Sequence, residues 1–265
     1  MHLKKLDNRD GIGHWIFHKN GNTTDKYAGL SKEERLSIDT LVLSDLHLRS
    51  TASKVHAIIA TLNTFWFKRI VLNGDIFDDV DFSSRLKSSH WEVISRIRTL
   101  TRPDREVTEV WVPGNHDWNI AALIASLIGI PTSKEYVFWH GERKYLVVHG
   151  HQFDSVIGRS PFITKLLVKL TRPAQLLDPH NLHAAAYVRR ILRSWHREKE
   201  RVANRAISYA RKVGASVVIC GHTHEAEFRS VDGIDYLNGG SFLENPSSFV
   251  TIDDGGHHLN MIHLK

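Results

Sequence analysis

The chain has 265 residues, of which 42% are hydrophobic, 24% are charged and 9% are aromatic. This composition excludes an intrinsically disordered protein and allows one large domain or one domain with an insertion. The only cysteine, Cys220, excludes an internal disulfide and a cysteine-built zinc site, and its solitary use favours a reducing compartment. The formal charge is +6, and the basic excess lies in residues 156–212, which hold 13 Lys and Arg against 3 Asp and Glu.

The first 35 residues are polar and contain glycine, a pattern that predicts a loosely packed N-terminal extension. No apolar run follows the lysines near the start, so we expect no signal peptide. The longest apolar stretch, 120–130, is too short to span a bilayer. We therefore expect a cytoplasmic protein that is soluble or attached peripherally to the inner face of a membrane.

From residue 36 onward, short runs rich in Val, Ile and Leu alternate with helical patterns. Each run predicts a buried strand that ends at a polar loop; the runs are 39–43, 69–72, 107–112, 144–148 and 216–220. Helices are predicted over 52–67, 88–100 and 120–127. This alternation favours an α/β sandwich with a core of 36–155 and 213–265.

After Cys220 the predicted strands follow one another without helices, at 225–229, 234–237, 249–252 and 260–264. We expect them to form a second, largely antiparallel sheet. The charge and apolar spacing of residues 156–212 predict a basic helical insertion. From Ala184 to Ala210, apolar residues recur at helical spacing, and packing against the main domain is the favoured interpretation of that stripe.

Five loops that follow predicted strands contain residues of the types that bind metal ions. They are Ser44-Asp45-Leu46-His47, Gly74-Asp75-Ile76-Phe77-Asp78, Gly114-Asn115-His116-Asp117, His149-Gly150-His151 and Gly221-His222-Thr223-His224. In open α/β sheets, ligand sites form at the carboxyl ends of the strands, so these loops can converge. Imidazoles, carboxylates and an amide oxygen suit Mn²⁺, Fe or Zn²⁺.

Chance is a poor explanation for these motifs. With 18 histidines in the chain, a single Asp-x-His or His-x-His carries little weight. Five such loops, each directly after an apolar strand, are in the structural context that a metal centre requires.

In this order, the five motifs resemble those of the calcineurin-like metallophosphoesterase superfamily. The resemblance spans residues 41–224, and the strands after it look like the family's second sheet. It implies an α/β fold that is a four-layer αββα sandwich, here with a helical cap insertion at 156–212. It also implies a dinuclear metal site on the loops between the sheets, with Mn²⁺ as the first expectation and Fe or Zn²⁺ as alternatives.

The resemblance also assigns roles to individual residues. It implies one metal bound by Asp45, His47, Asp75 and His224, and a second bound by Asp75, Asn115, His149 and His222. Asp75 then bridges two cations, a spacing suited to activating water for in-line attack on phosphorus. His116 matches the histidine that meets the substrate phosphate and assists the leaving oxygen, and Asp78 matches the carboxylate that orients it.

Within the superfamily, the chain looks most like the branch of UDP-2,3-diacylglucosamine pyrophosphatase and its relatives, although His116 stands where that enzyme carries arginine. The expected activity is hydrolysis of a phosphate ester or pyrophosphate. The expected partner is an anionic phosphorylated substrate, with a nucleotide-linked lipid first, and the cap is a candidate for peripheral membrane contact. The candidate substrate-binding residues are Arg189, Arg190, Arg193, Arg197, His151 and Asp154, the last two being equally candidates for supporting a metal ligand.

Two other functions remain open at this point. A nuclease or cyclic-nucleotide phosphodiesterase would use the basic cap to bind a polyanion, but aromatic residues are sparse among the cap's arginines, which disfavours nucleic acid. A non-catalytic scaffold on the same fold is expected to lose metal ligands, and every expected ligand is present.

Overall fold

The structure, a computed structural model, describes residues 3–5, 12–17, 35–78, 86–154 and 182–264. Within these ranges, it describes the backbone but not the side chains of residues 3–5, 17, 103 and 182–196. Its strands are β1 (Leu3–Lys5), β2 (Ile12–Phe17), β3 (Leu36–Leu43), β4 (Phe65–Asn73), β5 (Thr108–Val112), β6 (Tyr136–His140), β7 (Arg143–Val147), β8 (Val217–Cys220), β9 (Glu227–Val231), β10 (Ile234–Asn238), β11 (Ser247–Asp253) and β12 (Gly256–Leu264). Its α-helices are α1 (Val55–Thr64), α2 (Ser88–Leu100), α3 (Trp118–Ile128) and α4 (Leu182–Val213).

Two sheets and two helical layers build the fold. A seven-stranded sheet has the order β1-β2-β12-β11-β3-β4-β5, and a five-stranded sheet has the order β6-β7-β8-β10-β9. One apolar core joins α1, α2 and α3 to the larger sheet, a second fills the space between the sheets, and a third joins α4 to the smaller sheet. The predicted four-layer αββα sandwich is therefore confirmed. Strands covered on both faces explain the continuous Val, Ile and Leu runs.

Parallel strands run through the middle of each sheet and set the position of the polar loops. β3, β4 and β5 are parallel neighbours in the larger sheet, and β7, β8 and β10 are parallel neighbours in the smaller one. The loops that leave their carboxyl ends therefore emerge at one edge of each sheet.

The strands after Cys220 do not form one separate sheet, so that prediction is wrong. β9 and β10 join the smaller sheet, where β10 pairs in parallel with β8. β11 and β12 join the larger sheet, where β11 pairs antiparallel with β3. Each pair is a hairpin, and the order of hairpins along the chain does not say which sheet each one extends.

The N-terminal residues contribute a strand rather than only a loosely packed extension. β2 pairs in parallel with β12, and Trp15 on β2 is buried. The indole N–H of Trp15 donates to Asn260 Oδ1 at 2.9 Å, and its ring meets Phe65 edge-on. The partner strand lies about 250 positions along the chain, which is why the local pattern did not predict this pairing.

Two further differences concern aromatic segments. The predicted helix 52–67 ends at Thr64, because Phe65, Trp66 and Phe67 continue directly into β4 with Phe65 and Phe67 buried. Aromatic residues favour extended backbone over helix. β6 was not predicted; it is an edge strand on which Val137 and Trp139 are exposed, so it lacks a continuous apolar run.

The predicted cap is not shown by the structure. Residues 155–181 lie outside the described residues, and 182–213 form one helix, α4. In its C-terminal half, Val202, Ala203, Ala206 and Ala210 are buried, and the three alanines pack on the smaller sheet. This half is the outer layer of the sandwich, as the favoured interpretation of the apolar stripe proposed. None of the described helices combines the length and apolar content needed to cross a membrane.

Candidate metal centre

The five predicted loops meet at the carboxyl edge of the two sheets. Asp45 N–H donates to Gly74 C=O at 3.0 Å and His47 N–H to Asp75 C=O at 2.9 Å, which joins the loops after β3 and β4. Gly221 N–H donates to His149 C=O at 2.9 Å, which joins the loops after β7 and β8. His222 N–H donates to Asp45 Oδ2 at 3.1 Å and so links the two sheets.

The backbone of these loops is strained where the predicted ligands lie. Left-handed φ angles occur at Asp45 (53°), His47 (44°), Asp75 (50°), His222 (68°) and His224 (58°). Each such residue costs of order 1–3 kcal/mol and persists only where its surroundings fix it, which is common at functional sites. Gly74 (φ 78°) adopts the same left-handed region without strain because it has no Cβ, and the His149 ring occupies the space that a side chain at position 74 would fill.

One group of side chains comprises Asp45, His47, Asp75 and His224, whose candidate ligand atoms lie within 4.8 Å of one another. His224 Nε2 lies 3.1 Å from Asp45 Oδ1. His47 Nε2 lies 3.2 Å from His224 Nε2 and 3.9 Å from Asp75 Oδ2. This is the set that the sequence predicts for one metal, and the structure brings all four together.

A second group comprises Asp75, His149 and His222 within the same distance limit. His149 Nε2 lies 3.4 Å from Asp75 Oδ2, and its Nδ1 lies 3.0 Å from the carbonyl oxygen of Asn73. Asp75 belongs to both groups, and its bridging of two cations stays a prediction. Asn115, the remaining predicted ligand, lies on the loop whose His116 N–H donates to Asp75 Oδ1 at 2.9 Å.

Several observations show that these residues fit divalent cations. Among the described residues, Asn115 Oδ1 and His222 Nδ1 are buried without a hydrogen-bond partner, an arrangement that is costly unless a ligand completes it. The donor set of carboxylates, imidazoles and one amide oxygen is that of Mn²⁺, Fe or Zn²⁺ sites. The structure thus provides groups that could hold metal ions, and the individual ligand roles stay predictions.

The electrostatics of the centre favour positive charge. Burial by itself raises the pKa of Asp75, but the adjacent His149 and His116 bring the net pKa well below its ordinary value. Burial lowers the pKa of His149, but Asp75 and Asp45 outweigh it and raise the pKa to about 10. Carboxylates that retain a proton on a fully buried imidazole also favour cations at the same place.

His116 and Asp78 lie at the rim of the first group. His116 Nε2 lies 3.9 Å from Asp75 Oδ2, and His116 Nδ1 lies 3.5 Å from Asp78 Oδ1. Asp78 Oδ1 is also 3.3 Å from His47 Nδ1, so one carboxylate faces two rings. The geometry is compatible with Asp78 orienting His116, and it adds His47 as a second neighbour.

The predicted substrate-binding residues are dispersed. The side chain of Asp154 is buried, with Oδ2 2.9 Å from His222 Nε2. The His151 ring lies 5.5 Å from the His149 ring, between centroids. Arg197 is exposed on α4. The side chains of Arg189, Arg190 and Arg193 lie outside the described residues.

Sequence reasoning missed the role of Asp117, for which a loop or helix-capping role is the expectation from its position. Its side chain makes no cap bond to α3. It accepts hydrogen bonds from Gly114 N–H (2.8 Å), Ile76 N–H (2.6 Å) and Phe77 N–H (3.4 Å). Burial, followed by the nearby Asp75, raises the pKa of Asp117 to about 6. This buried carboxyl group therefore joins the loops that carry Asp75 and Asn115. In the sequence, the feature that could have indicated this role was the position of Asp117 in the Gly-Asn-His-Asp motif.

A known protein family matches most of the chain. Residues 38–253 match the model of the calcineurin-like phosphoesterase superfamily domain. Among curated proteins, none matches the chain.

Solved structures similar to the chain include three that cover most of it. A single mutant of Vps29 from Entamoeba histolytica has 20% identity over 85% of this chain and 99% of that chain, with a TM-score of 0.41. A conserved uncharacterized protein, a predicted phosphoesterase from Streptococcus pneumoniae TIGR4, has 18% identity over 85% and 89%, with a TM-score of 0.38. A novel archaeal phosphodiesterase has 16% identity over 84% and 98%, with a TM-score of 0.44.

Proposed function

The chain belongs to the calcineurin-like phosphoesterase superfamily, and we propose that it is a hydrolase with two divalent cations that cleaves a phosphate ester or pyrophosphate. The observation that carries this proposal is the sharing of Asp75 between two groups of candidate ligands, one with Asp45, His47 and His224, the other with His149 and His222. A single shared carboxylate is the arrangement expected of a two-metal site.

The chain's own residues would bind the cations and control protons around the phosphate. Asp45, His47, Asp75 and His224 would hold one cation, and Asp75, Asn115, His149 and His222 the other, with Mn²⁺ as the proposed metal. Two cations there would polarise the phosphoryl oxygens and lower the pKa of the attacking water. His116 lies at the rim, where a protonated ring would donate to the leaving oxygen, and Asp78 would stabilise that proton.

The course of α4 supports a large anionic substrate. Lys199 forms an ion pair with Glu225, the residue after His224, and Arg205 donates to the Phe153 carbonyl oxygen at 2.8 Å. α4 therefore passes beside the site loops at these positions. Residues 182–198 precede these positions in the same helix and extend it by about 25 Å, at 1.5 Å per residue.

This N-terminal part of α4 contains Arg189, Arg190, Arg193 and Arg197. We propose that it receives the distal part of a nucleotide-linked lipid, as in a UDP-2,3-diacylglucosamine pyrophosphatase-like hydrolase. The same basic helix also fits a polyanion, which keeps a nuclease or cyclic-nucleotide phosphodiesterase as the second candidate. The two differ in salt dependence, because contacts to a nucleic acid release many counterions.

The test is a hydrolysis screen with metal-stripped protein and with protein loaded with Mn²⁺. The substrates are aryl phosphates, aryl phosphodiesters, nucleoside diphosphate sugars, diacylated UDP-glucosamine and single-stranded DNA. We expect hydrolysis only in the loaded protein, with the lipid-linked nucleotide preferred. Full activity after thorough metal removal, or no hydrolysis of any substrate with Mn²⁺, would contradict the proposal.

Variants of α4 test the substrate class. Replacing Arg189, Arg190, Arg193 and Arg197 together with alanine is expected to raise KM for a large anionic substrate and to leave aryl phosphate hydrolysis unchanged. Arg102→Ala is the matched control, because Arg102 is an exposed arginine after α2. Equal kinetics of the α4 variant and the control on every substrate would remove α4 from substrate binding.

A further inference from the structure

Asp154 and His222 form a buried pair whose geometry leaves one ring nitrogen directed elsewhere. Asp154 Oδ2 lies 2.9 Å from His222 Nε2, and the two side chains are 2% and 5% exposed. His222 Nδ1 is also buried and has no hydrogen-bond partner among the described residues. His222 belongs with Asp75 and His149 to one group of candidate ligands.

The chain reverses direction tightly to place Asp154 there. Gly150 has a φ of 113°, which favours glycine, and the turn closes with Phe153 N–H to Gly150 C=O at 2.9 Å. Asp154 N–H follows with a bond to His151 C=O at 3.3 Å. Arg205 on α4 donates to the Phe153 carbonyl oxygen at 2.8 Å. The carboxylate is thus held against the ring by a turn that is itself tied to the outer helix.

A neutral imidazole has one N–H donor and one acceptor nitrogen, so a partner at one nitrogen determines the state of the other. In the neutral state that binds a cation, His149 would keep its Nδ1–H toward the Asn73 carbonyl oxygen, 3.0 Å away, and leave Nε2 toward Asp75. His222 shows the opposite arrangement: its Nε2 faces Asp154, which leaves Nδ1 as the acceptor. The ring nitrogen that remains for a cation therefore differs between the two histidines: it is Nε2 in His149 and Nδ1 in His222.

We propose that Asp154 is a positioning residue that keeps the proton of His222 on Nε2, so that Nδ1 binds the cation shared with Asp75, Asn115 and His149. This inference rests on the proposed function, since it assumes that cations bind at the centre. It assigns Asp154 to one of the two cations, because the ring that Asp154 faces, His222, belongs to the group of Asp75 and His149 and not to the group of Asp45, His47 and His224. Hydrogen-bonded partners of this kind commonly change metal affinity by about 10- to 100-fold.

The experiment compares Asp154→Asn and Asp154→Leu with the wild type and with Asp253→Asn. Asn keeps an acceptor oxygen without the charge, whereas Leu removes both. Asp253 is the matched control, because its carboxylate faces His258 Nε2 at 3.0 Å away from the centre. Calorimetric titration of metal-stripped protein with Mn²⁺ resolves the two binding steps, and thermal unfolding of the stripped proteins measures any loss of folding.

We expect one binding step to weaken by about 10- to 100-fold in Asp154→Leu and by less in Asp154→Asn, while the other step stays within about threefold. Asp253→Asn should bind like the wild type. A loss of both steps in parallel, or of neither, would overturn the role of Asp154. Failure of the wild type to bind Mn²⁺ would instead overturn the proposed function.

A second measurement, of the protonated ring nitrogen of His222, does not require a bound cation. Long-range ¹⁵N–¹H spectra of metal-stripped, ¹⁵N-histidine-labelled protein report which ring nitrogen carries the proton, and His222→Gln identifies the signal. We expect the Nε2–H form of His222 in the wild type and a mixture of forms in Asp154→Leu. An Nδ1–H form in the wild type, or unchanged spectra in Asp154→Leu, would refute the proposal whatever the metal result.

Discussion

Histidines and carboxylates gather at both edges of the paired sheets, but the two groups differ in backbone conformation and in how their side chains are paired. The metal centre lies at the carboxyl edge, and five of its residues have left-handed backbone angles. A second group, the amino-edge cluster of Asp39, Arg69, His140, Arg143, Tyr145, Asp235 and His257, lies where the parallel strands begin. None of those seven residues has a positive φ.

The amino-edge cluster connects the two sheets through direct contacts. Arg143 on β7 donates to Asp235 on β10 at 2.5 Å, and the same carboxylate lies 3.4 Å from His257 on β12. His140 on β6 lies 3.5 Å from Asp39 on β3, which also pairs with Arg69 at 3.0 Å. Residue type alone therefore does not decide function: buried ligand-type atoms that lack a hydrogen-bond partner among the described residues indicate a ligand, whereas mutual pairing indicates stability.

The largest effect should come from Asp75→Asn, which removes the carboxylate common to both candidate ligand groups. We expect turnover to fall by roughly 10³-fold or more, the scale of single essential groups, together with loss of both cations. Metal analysis and hydrolysis of an aryl phosphate measure this. Asp235→Asn is the control at the opposite edge and should retain both cations. Retention of two metals and normal turnover by Asp75→Asn would contradict the role of Asp75 as a ligand shared by two cations.

His116→Gln should separate proton transfer from metal binding within the centre. We expect metal content to stay near that of the wild type and turnover to fall by roughly 10²- to 10⁴-fold on substrates with poor leaving groups. Aryl substrates should lose less, because their leaving oxygen needs little protonation. Asp78→Asn should show the same selectivity more weakly. Equal losses on both substrate types would assign His116 to another task.

At the amino edge, Asp235→Ala should change stability and not catalysis. The variant leaves Arg143 and the largely buried His257 without their common partner, and we expect a loss of about 1–3 kcal/mol in the free energy of unfolding. Arg143 is 41% exposed, so solvent screening keeps the loss toward the lower end. Urea unfolding of metal-stripped protein measures it. A fall in kcat with unchanged stability would mean that this cluster contributes to the site.

The convergence of the candidate metal-binding residues was predictable from the sequence, because these residues come in short motifs directly after apolar strands. Asp45 and His47, or His222 and His224, are two positions apart, and each pair follows an apolar run that predicts a buried strand. The fold class followed from the same alternation. The local sequence pattern thus predicted both the α/β sandwich and the convergence of the five loops.

What the sequence did not reveal depends on contacts between distant positions. Asp154 and His222 are 68 positions apart, and Arg143 and Asp235 are 92 apart. Nothing in the local spacing distinguishes Asp235 from an exposed strand residue, or assigns the hairpin of β11 and β12 to the larger sheet. Asp117 was visible in its motif, but its three backbone donors come from two loops, which only the folded chain brings together.

The smallest expected effect concerns the pH dependence of stability at the amino edge. Burial, only partly offset by Asp235, lowers the pKa of His257 from 6.5 to about 4. In the unfolded chain His257 binds a proton below about pH 6.5, whereas in the folded protein it stays neutral down to about pH 4. The unfolded state therefore binds more protons in this window, and stability rises with pH between about 4 and 6.5.

His257→Gln removes this titration while retaining a polar side chain. The variant should show a flatter dependence of the unfolding temperature on pH between about 4 and 6.5 than the wild type, measured on metal-stripped protein. His258→Gln is the control, because His258 is 34% exposed and faces Asp253 on the same hairpin. An equal flattening in both variants, or in neither, would show that the amino-edge histidine is not held neutral by burial.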